Sequence, residues 1–206
     1  ALIPESNLTD TYISGSTYVD RDSQGFFLND TSKVENGIKL NGNEYVEVGD
    51  SEVLSVTGNK TIECWIKKSV QNANNGIMGK GGANANTGYF FFSLNNGKVR
   101  FNVDQKDGTA SNVDSANALW DGNWHHIVGV YTAGTNVKIY VDGSLSGTST
   151  TDIESESLNV SGKFYIGKEQ DGYKFTGEID EPRFYDKALS SDEVTKNYKR
   201  GLGKHS

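Results

Sequence analysis

From Gly37 onward, apolar and polar residues alternate in short runs broken by Gly, Asn and Asp. That is the period of two a half-buried strand needs, because successive side chains leave opposite faces of a sheet. GIKLNGNEYVEVG sets Ile38 and Leu40, then Val46 and Val48, on either side of Asn41-Gly42-Asn43, which predicts two strands and a tight turn. In TIECWIKKS, Ile62, Cys64 and Ile66 fall on one face and Glu63, Trp65 and Lys67 on the other. YFFFSL, GKVRFNV, HHIVGVYT, NVKIYVDG and GKFYIGK continue the series, with Asn95-Asn96-Gly97 and Asp142-Gly143 as turns. The Gly- and Asn-rich stretch from Val70 to Gly88 reads mostly as loop around a short Ile77-Met78 run, and residues 1–36 carry only weak strand signals. One helix is predicted near the end. Ser190 and Glu193 form a capping box, Val194 and Tyr198 lie four apart, Lys196, Lys199 and Arg200 suit the last turn, and Gly201 stops it.

Composition agrees with this pattern. Against 24 glycines there are 2 prolines, and aromatic and β-branched residues recur in short runs, so the chain reads as all-β. Its 206 residues hold enough for one domain with a substantial core, and no linker-like stretch divides them. The net charge of −7 is spread along the chain, which argues against a grip on phosphate backbones, and no nucleic-acid partner is expected. No apolar run is long enough for membrane insertion, and the opening ALIPESNLTD has neither the basic nor the apolar region of a signal peptide. Cys64 is the only cysteine, so the fold rests on its core without an intrachain disulfide. Framed by two isoleucines, it reads as a small buried hydrophobe rather than a reactive thiol. Asn7, Asn29, Asn59 and Asn159 head N-x-S/T triplets, which a chain this rich in Asn, Ser and Thr also produces by chance.

NGNEYVEVGDS, TIECWIKKS, NWHHIVGVYTAGTNVKIYVDG, FYIGK and FTGEIDEPRFYDKALSSDEV occur in this order. In order and spacing they resemble the laminin-G-like and pentraxin-like domains of the concanavalin A-like lectin/glucanase superfamily. The likeness covers about residues 37–201, whereas residues 1–36 do not match the family's usual opening strand. The resemblance implies a jelly-roll sandwich of two curved antiparallel sheets, here with one short C-terminal helix. The alternating pattern fits that architecture independently.

Candidate chemistry concentrates in GEIDEPRFY, which holds Glu178, Asp180 and Glu181. The superfamily includes β-glucanases with an E-x-D-x-E strand, whose carboxylates share one face. Here position 182 is Pro182, and Glu181 has the parity opposite to Glu178, so a catalytic pair needs a bulge to re-aim Glu181. Pro182, with no N–H for the ladder, is a natural place for one. No catalytic residue is assigned. His125 and His126 sit in a core-strand pattern without zinc-site spacing, His205 is next to the terminus, and no G-x-S-x-G elbow is present. Asp104-Gln-Lys-Asp107-Gly108 lacks the spacing of an EF-hand loop. The resemblance implies instead a structural calcium ion held by Asp180 with a backbone carbonyl at Gly42, since carboxylate and carbonyl oxygens are what calcium prefers. The alternative is an Asp180 that accepts backbone N–H bonds with no ion.

A lectin-like module needs an aromatic platform for sugar C–H faces and polar loops for hydroxyls. Trp120, before a glycine turn, and Tyr89 and Tyr173, beside Gly-rich loops, are the candidates, each weighed against plain packing. The expected function is a non-catalytic carbohydrate-binding or adhesion module of a larger extracellular, cell-surface or virion-associated protein. Its expected partner is a glycan or a protein surface, and oligomerisation is left open. A structural or assembly domain is the alternative. A glycoside hydrolase or polysaccharide lyase ranks below both, and fold alone does not name a function.

Overall fold

The computed structural model describes residues 17–22, 25–30, 37–69, 75–82, 87–157, 162–169 and 172–205; the first two spans, Gly82 and Thr87 are described by backbone alone. In chain order the elements are β1 (Thr17–Asp22), β2 (Gly25–Asp30), β3 (Ile38–Asn41), β4 (Val46–Val48), β5 (Lys60–Lys67), β6 (Asn75–Gly82) and β7 (Thr87–Ser93). They continue with β8 (Val99–Asp104), β9 (Ala110–Asp114), β10 (Trp124–Thr132), β11 (Asn136–Val141), β12 (Ser144–Ser149), β13 (Phe164–Ile166), β14 (Thr176–Tyr185) and the helix α1 (Ser191–His205). One sheet runs β1-β2-β14-β5-β10-β11-β12, with β3 also paired to β14, and the other runs β4-β13-β6-β7-β8-β9. Each strand pair is antiparallel. This is the all-β, two-sheet sandwich expected, with its helix at the C-terminus.

The facing sides of the sheets form the main core. Ile62, Cys64 and Ile66 from β5 meet Phe91 and Phe101 from β7 and β8, all fully buried. Burial pushes the Cys64 thiol well above its usual range, so it stays a neutral, unreactive side chain. A second cluster lies on the opposite side of the first sheet, where Val128, Val130, Tyr140 and Tyr185 are covered by Leu189 and by Val194 of α1. Both faces of β10 are therefore buried, which is why HHIVGVYT shows little alternation.

Local signals explain several elements. Asp142 (φ 50°) and Gly143 (φ 74°) are both left-handed, the turn that Asp-Gly favours, and Val141 pairs with Ser144 across it. Ser190 N–H donates to Glu193 Oε2 at 2.8 Å and Glu193 N–H to Ser190 Oγ at 3.3 Å, closing the capping box.

Four readings need correction. Asn41-Gly42-Asn43 does follow a strand, but β3 pairs with β14 and β4 with β13, so this turn passes the chain from one sheet to the other instead of making a hairpin. The stretch read as mostly loop contains β6, a central strand of the second sheet. Thr17–Asp22 and Gly25–Asp30, in the stretch with only weak strand signals, supply two strands at the edge of the first sheet. Gly201 does not end the helix, which runs on to His205 with Gly201 buried inside it.

Candidate functional site

The closing strand β14 carries Asp180 and Glu181 under α1, while Glu178 stands opposite Lys39 of β3 and Lys67 of β5. Asp180 pairs with Trp65 and Arg183 with Glu63, so Glu181 and Pro182 together stand opposite Cys64 as a bulge, with Glu181 at φ 46°. The bulge returns Glu181 to the helix-facing side, where it accepts from Arg183 at 2.6 Å and from Lys204 at 2.7 Å. Burial pushes the Glu181 carboxyl up, but Lys204 and Arg183 outweigh it and hold it below its usual range. Asp180 accepts from its neighbour's N–H, Glu181 N, at 2.8 Å, and its other oxygen lies 2.9 Å from His205 Nε2. The His205 ring stacks on Trp65 with centroids 4.1 Å apart.

Deeper under the helix, Glu63 is fully buried. It accepts from Arg183 (2.7 Å), Tyr185 (2.9 Å) and Asn197 (3.0 Å), and His126 Nε2 stands 3.6 Å away. Burial alone would raise this carboxyl, yet His126 and Arg183 bring it well below the usual carboxylate range. The two histidines differ in burial. His126 is fully buried, facing α1 rather than the main core, and His125 is partly exposed between Asp142 (2.8 Å) and Asp121 (3.2 Å).

A different constellation lies at the β13–β14 connection. Gly76 N–H donates to the Tyr173 carbonyl at 3.0 Å and Tyr173 N–H to Glu169 Oε1 at 2.9 Å, which ties this loop to β6. Gly76 permits the approach, because a Cβ there would stand 2.3 Å from Glu169 N. Tyr173 is 44 % exposed and meets Phe92 edge to face at 6.1 Å. Beside it, Tyr45 and Tyr165 lie 6.1 Å apart, and Lys168 Nζ stands 4.0 Å and 4.2 Å from their ring centres. Lys174 Nζ is 5.5 Å from the Tyr45 ring and donates to the Asn43 carbonyl at 3.2 Å. Aromatic surface and cationic donors converge here at partly exposed positions.

Comparison with known proteins is consistent with this geometry. A laminin-G-like profile described as the concanavalin A-like lectin/glucanases superfamily matches residues 40–195, well over half of the chain. The chain belongs to that superfamily. Over 90 residues it is 30 % identical to the human (Homo sapiens) adhesion G-protein coupled receptor D1, a match that takes in 40 % of this chain and 10 % of the receptor. Among solved structures, the botulinum neurotoxin serotype G binding domain superposes with a TM-score of 0.63 at 14 % identity, covering 91 % of this chain and 47 % of that one. The binding domain of Paraclostridial Mosquitocidal Protein 1 does so with a TM-score of 0.63 at 15 % identity, covering 97 % and 49 %. The binding domain of botulinum neurotoxin DC, solved in complex with rat synaptotagmin II, gives 0.62 at 15 % identity, covering 90 % and 45 %. At these identities the structural likeness is one of fold, and the chain spans about half the length of these domains.

Within the superfamily, the residues singled out from sequence fare unevenly. Tyr89 is interior, with its hydroxyl donating to the Leu54 carbonyl at 2.8 Å, and Trp120 is packed into the core edge-on to Phe175. Neither ring is open to solvent; Tyr173 is. Asp180 and Gly42, the residues expected to share a calcium ion, are not brought together. Thr176 pairs with Asn41, which places Gly42 at the start of β14. Asp180 lies four residues further on, about 13 Å away at the rise of a strand. Calcium–oxygen bonds of about 2.4 Å do not bridge that gap, and Asp180 already serves His205 and the Glu181 N–H. Among the described residues, no three His, Cys, Asp or Glu side chains gather as a metal site. Sequence reasoning missed Tyr45, Tyr165, Lys168 and Lys174; their one legible trace is KEQDGYK, a turn-rich segment with a lysine at each end. The sequons at Asn7 and Asn159 lie outside the described residues, as does the side chain of Asn29. Asn59 is exposed, and its side chain accepts from Ala133 N–H at 2.9 Å.

Proposed function

We propose that the chain is a non-catalytic glycan-binding module of a larger extracellular, cell-surface or virion-associated protein, with its ligand against the Tyr173 side of the β13–β14 connection. The exposure of Tyr173 carries this reading: a ring 44 % open to solvent on a backbone anchored through both N–H and carbonyl. An aromatic ring held still in water offers a sugar face a surface at low entropic cost. The recurrence of this fold in domains named as binding domains supports a binding role. A hydrolytic role is disfavoured because both Glu181 oxygens are taken up by Arg183 and Lys204, which also hold its carboxyl below the range a general acid requires. Calcium forms no part of the reading.

A glycan array provides the test. Saturable binding to a subset of glycans is expected, with Tyr173→Ala weakening the best hit about ten-fold, on the order of one stacking contact. A blank array, together with concentration-dependent self-association in light scattering, would make this an assembly domain and overturn the reading.

A further inference from the structure

We propose that Asn59 is an N-glycan acceptor, modified while the chain is being made and sealed against modification once it has folded. The inference rests on the extracellular placement proposed above and not on what the domain binds. Asn59-Lys60-Thr61 is an N-x-T triplet. Asn59 is exposed just before β5, and its Oδ1 accepts the Ala133 N–H at 2.9 Å. Its Nδ2 donates to no described residue, and at the neighbouring Gly58 an added Cβ would meet nothing within 4 Å. The nitrogen that carries the sugar in an N-linked glycan therefore faces open space. In the transfer, Nδ2 bonds to C1 of an oligosaccharide carried on a lipid diphosphate, the C1–O bond breaks, the diphosphate leaves and Nδ2 gives up one proton. The product is a secondary amide whose Oδ1 still accepts from Ala133, so the fold loses no hydrogen bond. The same fold closes the triplet afterwards. A transferase that reads N-x-T must reach the threonine hydroxyl, and Thr61 is fully buried, its Oγ1 donating to the Lys187 carbonyl at 2.8 Å and accepting the Leu189 N–H at 3.1 Å. Leu189 lies 128 positions further along the chain. At about 5–20 residues per second that interval is on the order of ten seconds of synthesis, during which the lock on Thr61 is incomplete. β5 has 8 residues, about 26 Å at the rise of a strand, and Lys68 just past its far end donates to the Thr176 carbonyl at the start of β14. A glycan on Asn59 thus stands away from Tyr173.

The experiment secretes the whole chain from a mammalian cell line and reads the Asn59 peptide by mass spectrometry before and after peptide N-glycosidase. Secretion is supplied by the host, so the outcome is independent of where the natural protein resides. Asn59 is expected to carry an N-glycan in the majority of molecules and to return as aspartate after the enzyme. With Asn7→Gln, Asn29→Gln and Asn159→Gln in place, the chain glycosylated at Asn59 is expected to melt within about 2 °C of the same variant made without glycan in bacteria. The folded bacterial chain, offered to microsomes with the lipid-linked donor, is expected to stay unmodified, while a synthetic peptide of residues 55–65 is modified in the same mixture. An unmodified Asn59 in the secreted chain, or a glycosylated chain that melts several degrees lower, would overturn the acceptor assignment. Modification of the folded chain as fast as the peptide would overturn the sealing. A blank glycan array leaves both intact, because the array reads what the domain binds and not what it carries.

Discussion

At Gly201, α1 comes closest to the buried Trp65 of β5. A Cβ at this position would stand 2.5 Å from Trp65 Nε1, and Trp65 is itself 1 % exposed. Gly→Ala in an exposed helix interior gains on the order of 1 kcal/mol, but here the added methyl must push the helix off a buried indole, at a cost of about 1–3 kcal/mol. Gly201→Ala is therefore expected to lower the melting temperature by several degrees in a thermal scan, whereas the same change at the open Gly203 is not. Lys60 makes the opposite case. It is fully buried, donates to Ser157 Oγ, and lies 5.1 Å and 5.4 Å from the Tyr89 and Tyr131 ring centres, with no carboxylate paired to it among the described residues. Burial brings its amine down to about 7. Between pH 10.5 and 7 the unfolded chain binds a proton that the folded chain refuses, so stability is lost as pH falls through that window and levels off below it. Lys60→Met removes the penalty, and the Ser157 hydroxyl keeps its own acceptor at the Thr57 carbonyl. The variant should melt higher at pH 6–7, with the gain shrinking toward pH 10.5; a gain independent of pH would refute the burial argument.

At the scale of elements, α1 and the bulge in β14 act as one unit. The bulge exists because Pro182 brings no N–H to the ladder and Glu181 takes a left-handed backbone; its effect is to hand Glu181 to Lys204 and Arg183. Asp180 closes the far end on His205. The cluster fastens the helix through side-chain pairs. His205→Ala should cost on the order of 2 kcal/mol through lost stacking and the orphaned Asp180 carboxylate, read as a lower midpoint in urea. EDTA should leave the wild-type melting curve where it is. A chelator-induced fall reversed by calcium would restore an ion to this region and undo the pairing described for Asp180.

At the scale of the whole molecule, the sandwich is extended to three layers by α1, and the candidate ligand site lies away from that third layer. In the cluster that looked most chemical in sequence, Asp180 and Glu181 face the helix and are spent on it. The site with free valence stands where β13, β14 and the start of β4 meet at one end of the second sheet. Alternation alone determined that the chain is all-β, and the turn dipeptides, the capping box and the buried Cys64 were equally legible, because each depends on residues within a few positions of one another. The β6 strand was not legible, since its glycines carry no periodic signal and Gly76 and Gly79 are used for close approach by Glu169 and Phe90. The crossing of β3 and β4 into separate sheets, the packing of Tyr89 and Trp120, the extension of the helix past Gly201 and the approach of Lys168 and Lys174 to Tyr45 were decided only by tertiary structure. Those outcomes depend on which surfaces come together over long sequence separations, and a local pattern records what a residue prefers but not what is placed against it.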